Sequence, residues 1–174
     1  MDTYIINKLK QVKVPKNSIR AKQRFINTII DIRNLKNILR AKHLGYEKSS
    51  IKKLLLGEGQ EIAIWKLDEL LEVDDVSQVI SGIEGTSYFN VLKDSIEKYH
   101  DEKSVQILEN ALDSLFLKLV GDISVKNYTS IGPTFRFLTS KEYEIQNLKV
   151  IIKGLDESLS SDIIKQYLIT EANI

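Results

Sequence analysis

The sequence predicts an all-α protein assembled from a repeated helical unit, and three observations carry that reading. Apolar residues recur at three- and four-residue steps along most of the chain, the spacing of a helix face. No stretch sustains the two-residue alternation of a strand, and only two prolines interrupt 174 residues. The chain also resembles itself. Laid over residues 138–172 without a gap, residues 25–59 give nine identical pairs in 35. These are Ile32/Ile145, Asn34/Asn147, Leu35/Leu148, Lys36/Lys149, Ile38/Ile151, Ile51/Ile164, Lys52/Lys165, Leu55/Leu168 and Glu58/Glu171.

The elements follow in order. "MDTYIINK" (1–8) resembles "LDSLFLKL" (112–119), each standing at a similar distance ahead of a long helix. In the first long helix Phe25, Ile29, Ile32, Leu35 and Leu39 share one face, with Asp31, Asn34 and Ile38 on its flank. A helix near 60–72 is expected to bury Ile62, Trp65 and Leu70, and Asp74-Asp75 can cap a short helix after it. Thr86 or Ser87 can cap a helix running through Tyr88, Val91, Leu92, Ile96 and Tyr99. Leu108, Ala111, Leu112, Leu115, Phe116 and Leu119 form the stripe of the next helix, which Gly121 is placed to terminate. Residues 122–132 read as a long irregular connection. Gly132-Pro133 then starts a helix whose Leu138, Ile145, Leu148 and Ile152 should face a core. The count is about nine helices and no sheet. The repeat divides the chain into the end of a preceding lobe (1–24), a complete helical lobe (25–122) and the start of a second, homologous lobe (123–174).

The polar residues of the repeat fall at matching positions on the two helices: Asp31, Asn34 and Lys36 in one, and Glu144, Asn147 and Lys149, with Glu142 nearby, in the other. A polar set that recurs at the same place on the wheel suits the registration of helices, because a buried amide or acid must find partners. Reaction chemistry is poorly represented. Glu142 and Glu144 lie two apart, on different sides of a helix, which disfavours a paired-carboxylate device. His43 and His100 have no second ligand at metal-binding spacing and read as surface residues. Gly57-Glu58-Gly59 and Gly82-Ile83-Glu84-Gly85 follow no strand and lack a phosphate-loop lysine, so they read as caps and turns. No catalytic residue, metal ligand or cofactor site is assigned, and no nucleotide binding is expected.

A net charge of +1 gives no field that would favour nucleic acid or an anionic membrane. The basic run Arg20, Lys22 and Arg24 reads as a solvated face, with contact to an acidic partner the alternative. The absence of cysteine excludes disulfides and thiolate metal sites. With no spanning run or signal-peptide pattern, a cytosolic location is expected, and Asn127-Tyr128-Thr129 is a chance glycosylation match.

"FINTIIDIRNLKNILRAKHLG", "ISGIEGTSYFNVL", "LENALDSLF" and "GPTFRFLTSKEYEIQNLKVIIKG" together resemble, in order, the C subunit of archaeal-type (A/V-type) ATP synthases, the counterpart of the d subunit of vacuolar proton pumps. The likeness covers nearly the whole chain from about residue 20 and is strongest over "KEYEIQNLKVIIKG". It implies an all-α funnel of three similar lobes, of which this chain, about half the family's length, would hold two, partly incomplete. It also implies a non-catalytic central-stalk role on the cytoplasmic face, peripheral to the membrane, between the rotor shaft subunits and the proteolipid ring. The alternative is a helical adaptor of the same repeat type with another protein partner. Gln146 stands where the family usually has a basic residue, and Thr134-Phe135 replaces a more acidic, proline-containing start. If neighbouring lobes complete one another, Tyr4, Ile5, Ile6 and Leu9 at one end and Ile163, Ile164, Leu168 and Ile169 at the other would lack cover. Homo-association through a swapped terminal helix is then expected.

Overall fold

A computed structural model describes residues 2–171. Among the described residues the chain forms ten α-helices, no strand, and one 3₁₀ turn (Lys16–Ser18). The helices are α1 (Asp2–Gln11), α2 (Ile19–His43), α3 (Lys48–Lys52), α4 (Ile64–Glu72), α5 (Val76–Gly82), α6 (Ser87–Asp94), α7 (Ile96–Glu102), α8 (Gln106–Lys126), α9 (Gly132–Asp156) and α10 (Ser161–Gln166).

The long helices α2, α8 and α9 carry the architecture: α8 packs against both of the others, and the short helices α3–α7 complete the cover of α2 and α8. Leu35, Ile38 and Leu39 of α2 and Leu108, Leu112 and Val120 of α8 are fully buried where these layers meet. Phe25 stacks on Phe135 with ring centroids 4.1 Å apart, which ties α2 to α9. α2 ends as its sequence requires. Gly45 takes a positive φ of 69°, and the amides of Tyr46 and Gly45 bond back to the Ala41 and Lys42 carbonyls at 2.8 and 3.1 Å. Asp75 caps α5 as anticipated, its carboxylate accepting from the Gln78 amide at 2.9 Å.

α2 and α9 have equal lengths and are offset by the same 113 residues that align the sequence repeat, and α3 and α10 follow them at that offset. Their surroundings differ. Phe25, Ile32, Leu35 and Leu39 are 8%, 4%, 0% and 0% exposed, whereas Leu138, Ile145, Leu148 and Ile152 are 58%, 54%, 51% and 66% exposed. The expectation that these α9 residues face a core is therefore corrected. α9 meets α8 through Phe135, Thr139 and Tyr143 instead, and its repeat-matched stripe points outward.

Other local expectations are also corrected. Gly121 does not end α8, which continues to Lys126. One internal glycine costs only about 1 kcal/mol, and burial between two helices outweighs that. The connection from α8 to α9 is consequently short, residues 127–131. The helix expected through Tyr99 is two, broken at Ser95, whose hydroxyl bonds the Val91 carbonyl at 2.9 Å. Trp65 is exposed, because Leu67, Leu70 and Leu71 define the buried side of α4 and Trp65 falls opposite. The chain ends are better covered than their sequence implied. Ile6, Ile164 and Ile169 are buried, leaving Tyr4, Ile5 and Ile163 exposed. Among the described residues no helix is long and apolar enough to cross a membrane.

Candidate functional site

The repeated polar residues build a set of fixtures between the long helices and the loops that follow them. Asn34, fully buried on α2, accepts from the Leu56 amide at 2.8 Å and donates to the Gly57 carbonyl at 2.8 Å. Asn37 adds a bond to the Leu54 carbonyl at 3.0 Å. Asp31, one turn earlier, accepts through Oδ2 from the amides of Gln60 and Glu61, each at 2.7 Å, and from the Tyr88 hydroxyl at 3.0 Å. The loop can approach this closely because Gly59 lies against the Asp31 carboxylate, where an added Cβ would come within 1.9 Å of Oδ1. Glu61 extends the network, accepting from the amide and hydroxyl of Ser87 at the start of α6. Burial pushes the Asp31 carboxyl above its usual range, opposed in part by the bonds from Glu61, Tyr88 and Gln60.

Asn147 makes the equivalent accepting bond on α9, but its donor closes on the same residue and not on the next one. It accepts from the Ile169 amide and donates to the Ile169 carbonyl, each at 2.8 Å. Leu56 and Ile169 are repeat-equivalent, so each asparagine holds the backbone 22 residues downstream. The partner is in each case a loop after a short helix, not a neighbouring helix. The acids diverge: Glu144 is exposed and pairs with Lys141 at 2.5 Å, one turn away on its own helix. Glu142 and Lys149 are also exposed. Replacing Asn147 with leucine removes a donor and an acceptor from a buried loop backbone, and is expected to cost about 1–3 kcal/mol. Urea unfolding reads the loss, and an unchanged midpoint would show that water replaces the amide without cost.

A third fixture joins α2 to α8 and α9. Lys36 bonds Asp113 Oδ2 at 2.7 Å, and the Tyr143 hydroxyl donates to Oδ1 of the same carboxylate at 2.9 Å. Arg40 grips Glu109 through both oxygens at 2.8 and 2.6 Å. Lys36, Arg40, Asp113 and Tyr143 edge a cleft of about 270 Å³, which also includes Arg33 and Glu142. That volume lies just below the ~300–1,000 Å³ typical of small-molecule sites. Burial and the Asp113 charge push the Tyr143 hydroxyl far upward, so it stays protonated and acts as a donor, not a base. The same causes, with Asp31 as the neighbour, hold Tyr88 protonated.

Sequence reading gave no role to Asp113, Glu109 or Tyr143, and placed Tyr88 only on the apolar side of its helix. A signal for the first two existed. Glu109 and Asp113 are acids four apart inside an apolar stripe, and Lys36 and Arg40 are bases four apart on another helix, the spacing that antiparallel pairing needs. In the basic run, Lys22 turns inward and its ammonium caps the end of α1, bonding the Lys10 and Val12 carbonyls at 2.7 and 2.6 Å. Arg20 and Arg24 remain exposed. His43 contacts the Tyr99 hydroxyl at 3.1 Å, and His100 is exposed beside Ser77. Among the described residues no three His, Cys, Asp or Glu side chains are placed to hold a metal ion.

A family model described as ATP synthase (C/AC39) subunit matches residues 1–167. The A-type ATP synthase C subunit of Methanocaldococcus jannaschii is 40% identical over 146 residues, covering 84% of this chain and 37% of that protein. The C subunit of Methanobrevibacter smithii is 40% identical over 134 residues, or 77% of this chain and 35% of that protein. The C subunit of Methanosphaera stadtmanae is 33% identical over 172 residues, 97% of this chain and 45% of that protein. The chain thus spans less than half the length of these relatives. No solved structure matches it significantly.

Proposed function

Because the chain belongs to the ATP synthase (C/AC39) subunit family, we propose that it is a non-catalytic central-stalk element of a rotary A/V-type ATPase, peripheral to the membrane. In this reading it couples the rotor shaft subunits to the proteolipid ring. The observation that carries it is the placement of the polar groups. The buried acids Asp31, Glu109 and Asp113 are spent on amides, hydroxyls and cations of the body itself. The buried tyrosines beside them are held as donors. Such contacts fix three long helices and their loops relative to one another, and a body that transmits torque needs that resistance to twist. The repeated lobes, with 25–122 as the complete unit, serve the same end, since stacked helical repeats behave as one elongated elastic element.

Affinity purification of the tagged chain from cells expressing the ATPase tests the reading. Recovery of rotor shaft or proteolipid subunits is expected, and their absence beside a different bound protein would favour the adaptor role. Calorimetric titration with ATP and ADP, with and without Mg²⁺, is expected to give flat traces, because no glycine-rich loop opens a helix to cradle phosphate. A saturable micromolar signal would count against the reading.

A further inference from the structure

Asp31 is fully buried on α2, yet its two carboxylate oxygens stand in unlike surroundings. Oδ2 receives all three donors, the amides of Gln60 and Glu61 and the Tyr88 hydroxyl. Oδ1 is buried as well and, among the described residues, has no hydrogen-bond partner. What it faces is an acceptor. A Cβ added to Gly59 would stand 1.9 Å from Oδ1 and 2.9 Å from the carbonyl oxygen of Asn27, one turn earlier on α2, so the two oxygens crowd one point. An anionic Oδ1 there would carry charge without a donor, beside the negative end of a carbonyl dipole, and buried unpaired charge is costly. A proton on Oδ1 removes that charge and offers a donor to the Asn27 carbonyl, which has a second lone pair to accept it.

We propose that Asp31 is held as the neutral acid, with its proton on Oδ1 and directed at the Asn27 carbonyl. Loss of that proton then unlatches residues 57–61 and the start of α6 from α2. Opening lets water reach the ionised Oδ1, so ionisation favours the open loop. Glu61 carries the effect onward, because its carboxylate holds the amide and hydroxyl of Ser87 at the start of α6. The other charges around α2 are engaged elsewhere or set apart. Arg24, two turns earlier on α2, is exposed and bears on Tyr88. α5 has no ionisable side chain, and α8 gives Glu109 and Asp113 to Arg40 and Lys36. Lys48 and Lys52 of α3 are taken by Glu72 and Asp68. Lys22 ties α1 to the beginning of α2, and Glu142 and Tyr143 of α9 line the cleft on a different side of that helix. Burial pushes the Asp31 carboxyl up, and the bonds on Oδ2 oppose this only in part, as a neutral acid requires.

Two measurements on the intact chain test the latch. The carboxyl carbon of Asp31, followed by NMR across pH, should still report the neutral acid at about pH 5, where an ordinary aspartate with a pKa of about 3.9 is ionised. Hydrogen exchange of the Gln60 and Glu61 amides, corrected for intrinsic rates, reads the opening. Asp31→Asn keeps an acceptor at Oδ2 and places an amide donor at Oδ1, so it copies the neutral acid at every pH. Relative to that variant, wild-type protection should fall by up to about tenfold per pH unit above about pH 4, then level off once the carboxyl is ionised. An ionised Asp31 at about pH 5 would overturn the proposal. So would a protection ratio that does not change with pH, or an Asp31→Asn chain in which the two amides lose their protection.

Discussion

Asp31→Ala should lower the free energy of unfolding by about 3–5 kcal/mol, as read from urea titration. The loss comes from stranded donors. Two loop amides and the buried Tyr88 hydroxyl all terminate on one carboxylate oxygen, and alanine leaves each without an acceptor at about 1–3 kcal/mol apiece, less where loop water reaches the amides. Asp31→Asn separates shape from charge, because it keeps one acceptor oxygen. The pH dependence then carries a sign. Burial raises the Asp31 carboxyl above its ordinary value of 3.8, so the native state takes up this proton at higher pH than the unfolded chain. Its linked stabilisation is fully present below the unfolded value and is lost as pH rises through the folded one. The stability difference between wild type and Asp31→Asn should therefore shrink as pH rises from about 4 through that window. A difference that widens with pH would mean that the three donors depress the carboxyl, overriding burial.

The identity of the helices was legible because their apolar spacing is local information. The sequence match was legible because nine identities fall at a single offset without a gap, and α2 and α9 begin and end at that same offset. What was not legible is which copy is covered. Leu35 and Leu148 are the same residue on the same helical face, yet one is buried and the other half exposed, since burial depends on whether another helix arrives from elsewhere in the chain. Periodicity records a helix's preferred face and is silent on its neighbours. Asp31 and Asn34 could be read as residues needing partners, but the partners are loop amides at 56–61, and amides leave no trace in residue identity. Asp113 hid for a related reason: within an apolar stripe its meaning depends on Lys36 and Tyr143, which reach it from two other helices. Glycine is a poor stop signal where packing holds the helix together. Gly121 sits inside a helix held from both sides, and the real turn is built by Asn127, whose side-chain amide bonds the Ile123 carbonyl and whose own carbonyl accepts from the Ser130 amide.

Gly132→Ala is the second large effect expected, and it locates the stiffness of the body at a single corner. Gly132 is the first residue of α9 and is buried where α9 folds back on α8. A Cβ there would lie 2.9 Å from the Asn127 carbonyl oxygen, 2.9 Å from the Ser124 Cα and 3.1 Å from the Ile123 carbonyl oxygen. All three are backbone atoms at the end of α8 and the turn, so no side chain can swing aside. The requirement is for space, since the φ of Gly132 is not among the positive values found at Gly45, Gly57 and Gly85. Relief requires the two helices to separate, which would pull Tyr143 from Asp113 and unstack Phe135 from Phe25. Overpacking against backbone costs about 2–3 kcal/mol. Pro133→Ala, one position on and exposed, should cost under about 1 kcal/mol, because the proline occupies the first turn, where its missing N–H has no helical partner to lose. Thermal unfolding of the two variants side by side makes the comparison. If Gly132→Ala melts with wild type, the corner yields without loss, and α8–α9 would be a hinge in place of the rigid elbow that the proposed coupling role calls for.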